Sequence, residues 1–246
     1  MLLKKALCLA ITGLSFTVAA ENIDYQVNGD TYQGFYVTPA EKAPLVLLIH
    51  DWDGLTDYEI KRAKMLAEEG YAVFAADLFG KGIRPTQDND KKQHTGELYQ
   101  DRRKMRLLIN AALDKAVELG ANPHKVVVIG YCFGGAAVLE MARSGKDLQG
   151  FVSFHGGLTT PPGQDYANAK AEILILHGAA DKAISMQDFA KLSTELEIHQ
   201  VPNEMIAYGG ADHAFTVFGI DRYHAEADKK SWQRLLDFLN KKLQAS

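Results

Sequence analysis

Short, uninterrupted apolar runs alternate along this chain with stretches of helical period, and few folds accommodate that alternation. Leu45–Ile49 and Tyr71–Ala76 are apolar throughout. They are too short to cross a membrane as helices and read as strands buried on both faces. Lys125–Ile129, Phe151–Phe154, Ile173–Leu176 and Glu204–Tyr208 read as further strands. Between them, Tyr58–Glu69 carries Ile60, Ala63, Met65 and Leu66 at helical spacing. Leu98–Leu119 does the same with Met105, Leu108, Ile109, Ala112, Leu113 and Val117, and Gly120 ends it. Phe133–Arg143, Ser185–Leu196 and Ala225–Leu243 complete the helices. Strands alternating with helices predict an α/β fold, a mainly parallel sheet with helices on both faces. Tyr25–Val27 and Thr31–Val37, flanking Asn28-Gly29-Asp30, add a hairpin. The polar stretch from Lys81 to Gly96 has no clear period and is expected to form a lid or a pocket wall.

The start of the chain stands apart. Lys4 and Lys5 precede a mostly apolar run, Ala6–Phe16, and Val18-Ala19-Ala20 offers small residues before Glu21. This pattern predicts a signal peptide over residues 1–20, a single domain over 21–246, and an exported, periplasmic protein without a stable membrane anchor. Removing two lysines and no acid takes the net charge from -4 to -6. A mildly acidic chain gives no reason to expect nucleic-acid binding. Of the two cysteines, Cys8 falls in the leader, so the mature chain keeps Cys132 alone and has no internal disulfide. A monomer or weak homo-oligomer is expected.

The surroundings of Cys132 mark it as a nucleophile rather than a small buried residue. The strand Lys125–Ile129 runs into Gly130-Tyr131-Cys132-Phe133-Gly134-Gly135 and then a helix. Gly-x-nucleophile-x-Gly between strand and helix is a nucleophile elbow, in which glycine lets the two backbones approach. The helix N-terminus is expected to favour a thiolate. Acid and histidine should follow in that order, each after a strand. Asp181 follows Ile173–Leu176, and His213 follows Glu204–Tyr208. Loops at the carboxyl ends of such strands converge on one rim. His213 is therefore the expected base and Asp181 its orienting acid. Asp181 as a helix cap near Ser185 and His213 as a surface loop residue are the alternatives. Asp212, the other available acid, is next to His213 and points away from its ring. The amides of Phe133 and Trp52 are candidate oxyanion donors.

These residues resemble the dienelactone hydrolase family of α/β-hydrolases. The likeness rests on Gly130–Gly135, on His177-Gly178 followed by Asp181, on Asp212-His213-Ala214-Phe215 and on Asp77-Leu78-Phe79-Gly80. It spans nearly all of residues 25–243. It implies an α/β-hydrolase fold, a Cys-His-Asp triad, a small-molecule ester or lactone substrate, and neither metal nor organic cofactor. Asp51 stands where the family typically carries a glutamate that helps to ionise the thiol. Ala214 and Val217 stand where the name-giving enzymes carry a serine and an arginine that hold a substrate carboxylate. Neutral short esters or lactones are thus the expected substrates, touched by Phe215 and Trp52, with Arg84 as a possible cationic contact.

Three other readings compete. The first is a binding protein that kept the fold and lost catalysis. The second is a metal-dependent hydrolase built on His50, Asp51, Asp53 and His213, although no His-x-x-x-His pair occurs. The third is a thiol redox protein, which the lack of a second mature cysteine disfavours. His50, His155 and His177 are read as loop residues or as supports around the site.

Overall fold

The apolar runs fold as strands whose alternate residues face opposite layers. In the computed structural model, which describes residues 19–244, Leu45, Leu47 and Ile49 of β3 (Pro44–Ile49) point into one core while Val46 and Leu48 point into the other. Val126 and Val128 oppose Val127 and Ile129 in the same way on β5 (Asn122–Tyr131). Period-two alternation with apolar residues on both sides requires cover on both faces. Helices α2 (Asp88–Gln100), α3 (Arg102–Glu118), α4 (Phe133–Arg143) and α5 (Met186–Ile198) cover one face; α1 (Asp57–Glu68) and α6 (Ala225–Leu239) cover the other.

The described residues form one eight-stranded sheet. It also includes β1 (Ala19–Val27), β2 (Asp30–Thr38), β4 (Ala72–Ala76), β6 (Gly150–Phe154), β7 (Glu172–Gly178) and β8 (Asn203–Tyr208). The order is β1-β2-β4-β3-β5-β6-β7-β8. β1 and β2 pair antiparallel, as the hairpin signal requires, and β2 joins β4 antiparallel. Every pair from β4 to β8 is parallel, so the loops after β3, β5, β7 and β8 open on one rim.

Two expectations change. Part of the aperiodic polar stretch is helical: α2 begins at Asp88. It buries only Thr95 and Leu98, too few apolar residues to leave a period in the sequence. The helix expected over Leu98–Leu119 is two helices meeting at Asp101, whose side chain caps α3 by accepting from the Lys104 amide. The last helix ends as a π-helical turn, Asn240–Gln244. Apart from Ala19 and Ala20, which open β1, the expected signal peptide lies outside the described residues. No helix among the described residues is long and apolar enough to cross a membrane.

Candidate active site

The elbow after β5 is built by close backbone contact. A Cβ on Gly130 would lie 2.2 Å from the Gly134 carbonyl oxygen, and one on Gly134 would lie 2.4 Å from the Ile49 oxygen. Only glycine fits at such distances. Cys132 is held at φ 51°, ψ -111°, with its amide bonded to the Phe154 carbonyl at 3.0 Å. A non-glycine residue in this conformation is strained, and the strain turns the side chain out above the sheet.

The loops after β7 and β8 are tied to each other. Ala179 donates to the Tyr208 carbonyl and Ala180 to that of Ala211, both at 2.9 Å. This pairing brings Asp181 against His213: Oδ2 accepts from Nδ1 at 2.8 Å. Asp181 Oδ1 accepts from the amides of Ala183 and Ile184 at 2.8 and 2.9 Å. Burial opposes the charge on Asp181, but these bonds outweigh it and hold the carboxyl below its ordinary range. With the His213 proton drawn to Nδ1, Nε2 is left facing Cys132 Sγ at 3.2 Å. Asp212 turns the other way and accepts from the His213 amide at 2.7 Å.

The thiol differs from expectation. Burial pushes the Cys132 thiol up, with the Asp51 carboxyl adding to the rise. The Phe133 amide at the start of α4 works in the opposite direction but does not prevail.

A cavity of about 310 Å³ opens over Sγ. Asp51, Trp52, Cys132, Phe133 and His213 line it. The Trp52 ring also lies 4.8 Å from the Lys91 ammonium. Asp51 borders the cavity without bonding the sulfur: its Oδ1 accepts from the Asp53 amide at 3.0 Å. Burial first, then Asp53 and Glu59, raise its pKa well above the ordinary range.

Two expected substrate contacts fall elsewhere. Arg84 is spent on the loop itself, donating to the carbonyls of Leu55 and Ile83 and lying 3.6 Å from Asp77. Phe215 is fully buried against His155 and Tyr208, on the opposite face of the sheet. The wall instead includes Thr95 and Tyr99 of α2, Gly157, Ile184 and Arg222. The aperiodic composition of α2 and the loop position of Arg222 gave no signal for these.

The neighbouring histidines support the site. His155 packs its ring 5.5 Å from His213 and pairs with Thr216 Oγ1 at 2.8 Å. Burial holds His155 well below its ordinary pKa, so it stays neutral beside the base. His177 Nε2 meets the Ile184 carbonyl. His50 uses Nδ1 on the Asp51 carbonyl at 2.6 Å and Nε2 on the Leu78 amide at 3.1 Å. Neither ring nitrogen of His50 is left for a metal, and His213 is engaged by Asp181 and Cys132; Asp51 and Asp53 instead group with Glu59, with carboxylate oxygens within 4.8 Å of one another.

A family model described as the dienelactone hydrolase family matches residues 32–243. The chain belongs to the dienelactone hydrolase family. Its relatives include a protein of Escherichia coli named for carboxymethylenebutenolidase, 24% identical over 223 residues, covering 85% of this chain and 82% of that one. The protein usf of Aquifex pyrophilus is 27% identical, covering 78% and 85%. The crystal structure of a dienelactone hydrolase-like promiscuous phosphotriesterase from metagenomic libraries superposes with a TM-score of 0.84. It is 29% identical and covers 92% of this chain and 98% of its own. Membership in the family makes this chain a hydrolase with the α/β-hydrolase fold.

Proposed function

We propose that this hydrolase cleaves a small ester or lactone through a Cys132 thiolate formed on demand. The observation that carries this reading is the linear chain Cys132 Sγ–His213 Nε2 at 3.2 Å and His213 Nδ1–Asp181 Oδ2 at 2.8 Å, beneath a cavity. His213 takes the thiol proton as sulfur bonds to the substrate carbonyl carbon. The carbonyl electron pair moves onto oxygen, where the amides of Phe133 and Trp52 are the donors in this reading. Collapse expels the alkoxide, which leaves with the proton from His213. Water then attacks the thioester through the same base, releasing the acid and restoring the thiol. Asp181 holds the imidazole in the tautomer this sequence needs.

A raised thiol pKa suits this scheme, in which His213 and a bound carbonyl draw the proton away only when substrate is present. Asp51 lines the same cavity and is the proposed thiol-activating group; because its charge raises the thiol pKa, in this reading it activates only by accepting the thiol proton and not through its field. Trp52, Tyr99, Phe133, Ile184 and Ala214 give the cavity an apolar wall, which favours neutral, short acyl groups over charged ones. Arg222 at its edge is exposed, so solvent screens its charge. Turnover of 4-nitrophenyl acetate and of a small lactone by the wild-type protein, lost in Cys132→Ala, tests the reading. A protein that binds these compounds without turnover is the inactive binding protein instead.

The reading includes export. The basic start, apolar core and Val18-Ala19-Ala20 support cleavage after Ala20. Intact mass of the secreted protein should begin at Glu21; a full-length chain in the membrane fraction contradicts this.

A further inference from the structure

Thr216 follows His213 closely in the loop after β8 and is fully buried, yet it lines no part of the reactive cavity. Its hydroxyl joins two groups from elements distant in sequence. Tyr58 Oη of α1 lies 2.6 Å from Oγ1, and Nε2 of His155, just after β6, lies 2.8 Å from it. The Thr216 carbonyl accepts from Arg62 Nη2, one turn beyond Tyr58, at 2.7 Å. The same nitrogen pairs with Asp228 of α6. Arg62 is itself buried, with its guanidinium 4.2 Å from the Phe218 ring. α1, α6 and the end of β6 therefore grip the loop of the base at one residue.

The backbone on both sides of this grip is strained. His155 has φ 37° and Ala214 φ 61°, in the left-handed region that glycine enters freely and other residues do not. Such conformations persist where surrounding bonds over-determine them. Here the His155 ring stands 5.5 Å from that of His213, at an interplanar angle of 65°. At rest the His213 ring also has a partner at each nitrogen, Asp181 at Nδ1 and Cys132 at Nε2. Once sulfur carries an acyl group it has no proton to share, and the ring keeps one hydrogen bond, about which it could swing. The flank contact from His155 is then what holds the ring in place, and Thr216 is what holds His155.

We propose that Thr216, with His155 and Tyr58, positions His213 for the second half of the reaction, the attack of water on the thioester. The inference rests on the hydrolase reading. In that step Nε2 takes a proton from water while the water oxygen bonds to the acyl carbon. The carbon–sulfur bond then breaks, and sulfur leaves as thiolate and recovers the proton from Nε2. None of the three residues lines the cavity, so each acts through the ring or the loop of His213. Loss of the hydroxyl must therefore slow deacylation more than acylation, in which sulfur still holds the ring.

The experiment separates the two half-reactions on 4-nitrophenyl acetate. Stopped-flow release of 4-nitrophenolate gives acylation, and loss of the acyl mass from acid-quenched samples gives deacylation. Thr216→Val keeps the shape and removes the hydroxyl. It should slow deacylation about tenfold, the effect of about one buried hydrogen bond, and acylation by no more than about twofold. Thr216→Ser, which keeps the hydroxyl, should restore deacylation. Unchanged deacylation, equal slowing of both steps, or a Thr216→Ser as slow as Thr216→Val overturns the proposal. Should Thr216→Val fail to fold, Tyr58→Phe is judged by the same split: selective slowing of deacylation supports the proposal, and equal or absent slowing overturns it. If the wild-type protein turns over no ester, the hydrolase reading has failed on its own. The positioning role is then read from protein alkylated at Cys132 with iodoacetamide, whose carbon-bonded sulfur stands in for the thioester. The downfield proton resonance of His213 Nδ1–H should stay sharp in the alkylated wild type and broaden in alkylated Thr216→Val or Tyr58→Phe; equal line widths overturn the proposal.

Discussion

His213 Nε2 stands 3.2 Å from Cys132 Sγ, although 81 positions of sequence separate the two residues. The sheet creates this contact. β6 and β7 lie between β5 and β8 in parallel register, so the loops after β5 and β8 leave by the same rim. Asp181, from the loop after β7, completes the line on the other side of the ring. Removing the base should cost the chemical step and spare binding. His213→Ala is expected to lower kcat by roughly 10³-fold or more while KM changes little. Asp181→Asn should cost less, because it disturbs the tautomer and leaves the base in place. Steady-state kinetics on an aryl ester check both.

The resting thiol gives a second test. Burial pushes the Cys132 thiol above the value of a free cysteine, which titrates at about 8.5. Iodoacetamide should therefore alkylate Cys132 more slowly at neutral pH than it does free cysteine. The rate should still be rising where free cysteine has levelled off. A fast, pH-independent rate at neutrality would mean a preformed thiolate and a different activation mechanism.

Two glycines should respond in opposite directions to the same substitution. A Cβ on Gly134 would meet the Ile49 and His50 oxygens at 2.4 and 2.5 Å, and backbone cannot move aside cheaply. Gly134→Ala should lose about 3 kcal/mol or more. Gly96, inside α2, has open space around it, and Gly96→Ala should gain about 0.5–1 kcal/mol from helix propensity. Urea denaturation at fixed pH measures both.

The buried carboxyl of Glu59 makes stability depend on pH. Burial raises its pKa from 4.5 to about 7, against the bonds from Thr56 that favour the charged form. The folded state thus binds the proton more tightly than the unfolded chain. The stability linked to this group is fully present below pH 4.5 and declines as pH rises through about 7. Glu59→Gln should flatten that decline, by no more than about 3 kcal/mol. Denaturation midpoints between pH 5 and 8 test the sign; a wild-type stability that climbs through this interval contradicts it.

What the sequence conveyed follows from how each feature is encoded. The strands and the elbow are legible because burial on both faces demands continuous apolar runs and close backbone approach demands glycine. The order of Cys132, Asp181 and His213 is legible because each follows a strand. The break at Asp101 is hidden because α2 and α3 are contiguous and the capping side chain is an ordinary aspartate. The partners of Arg84 and Phe215 and the place of Arg222 at the cavity depend on the packing of loops, which leaves no period. The direction of the Cys132 shift is hidden for a different reason: burial of the thiol outweighs the bond from the Phe133 amide.

The central claim is that sulfur of Cys132 carries the acyl group. The most direct measurement is intact-mass and peptide-mass analysis of the protein quenched in acid during turnover of a slow aryl ester. The account predicts a transient adduct of one acyl mass on the peptide containing Cys132, absent in Cys132→Ala, which should also lose turnover. An adduct on another residue, or undiminished hydrolysis by Cys132→Ala, would contradict it.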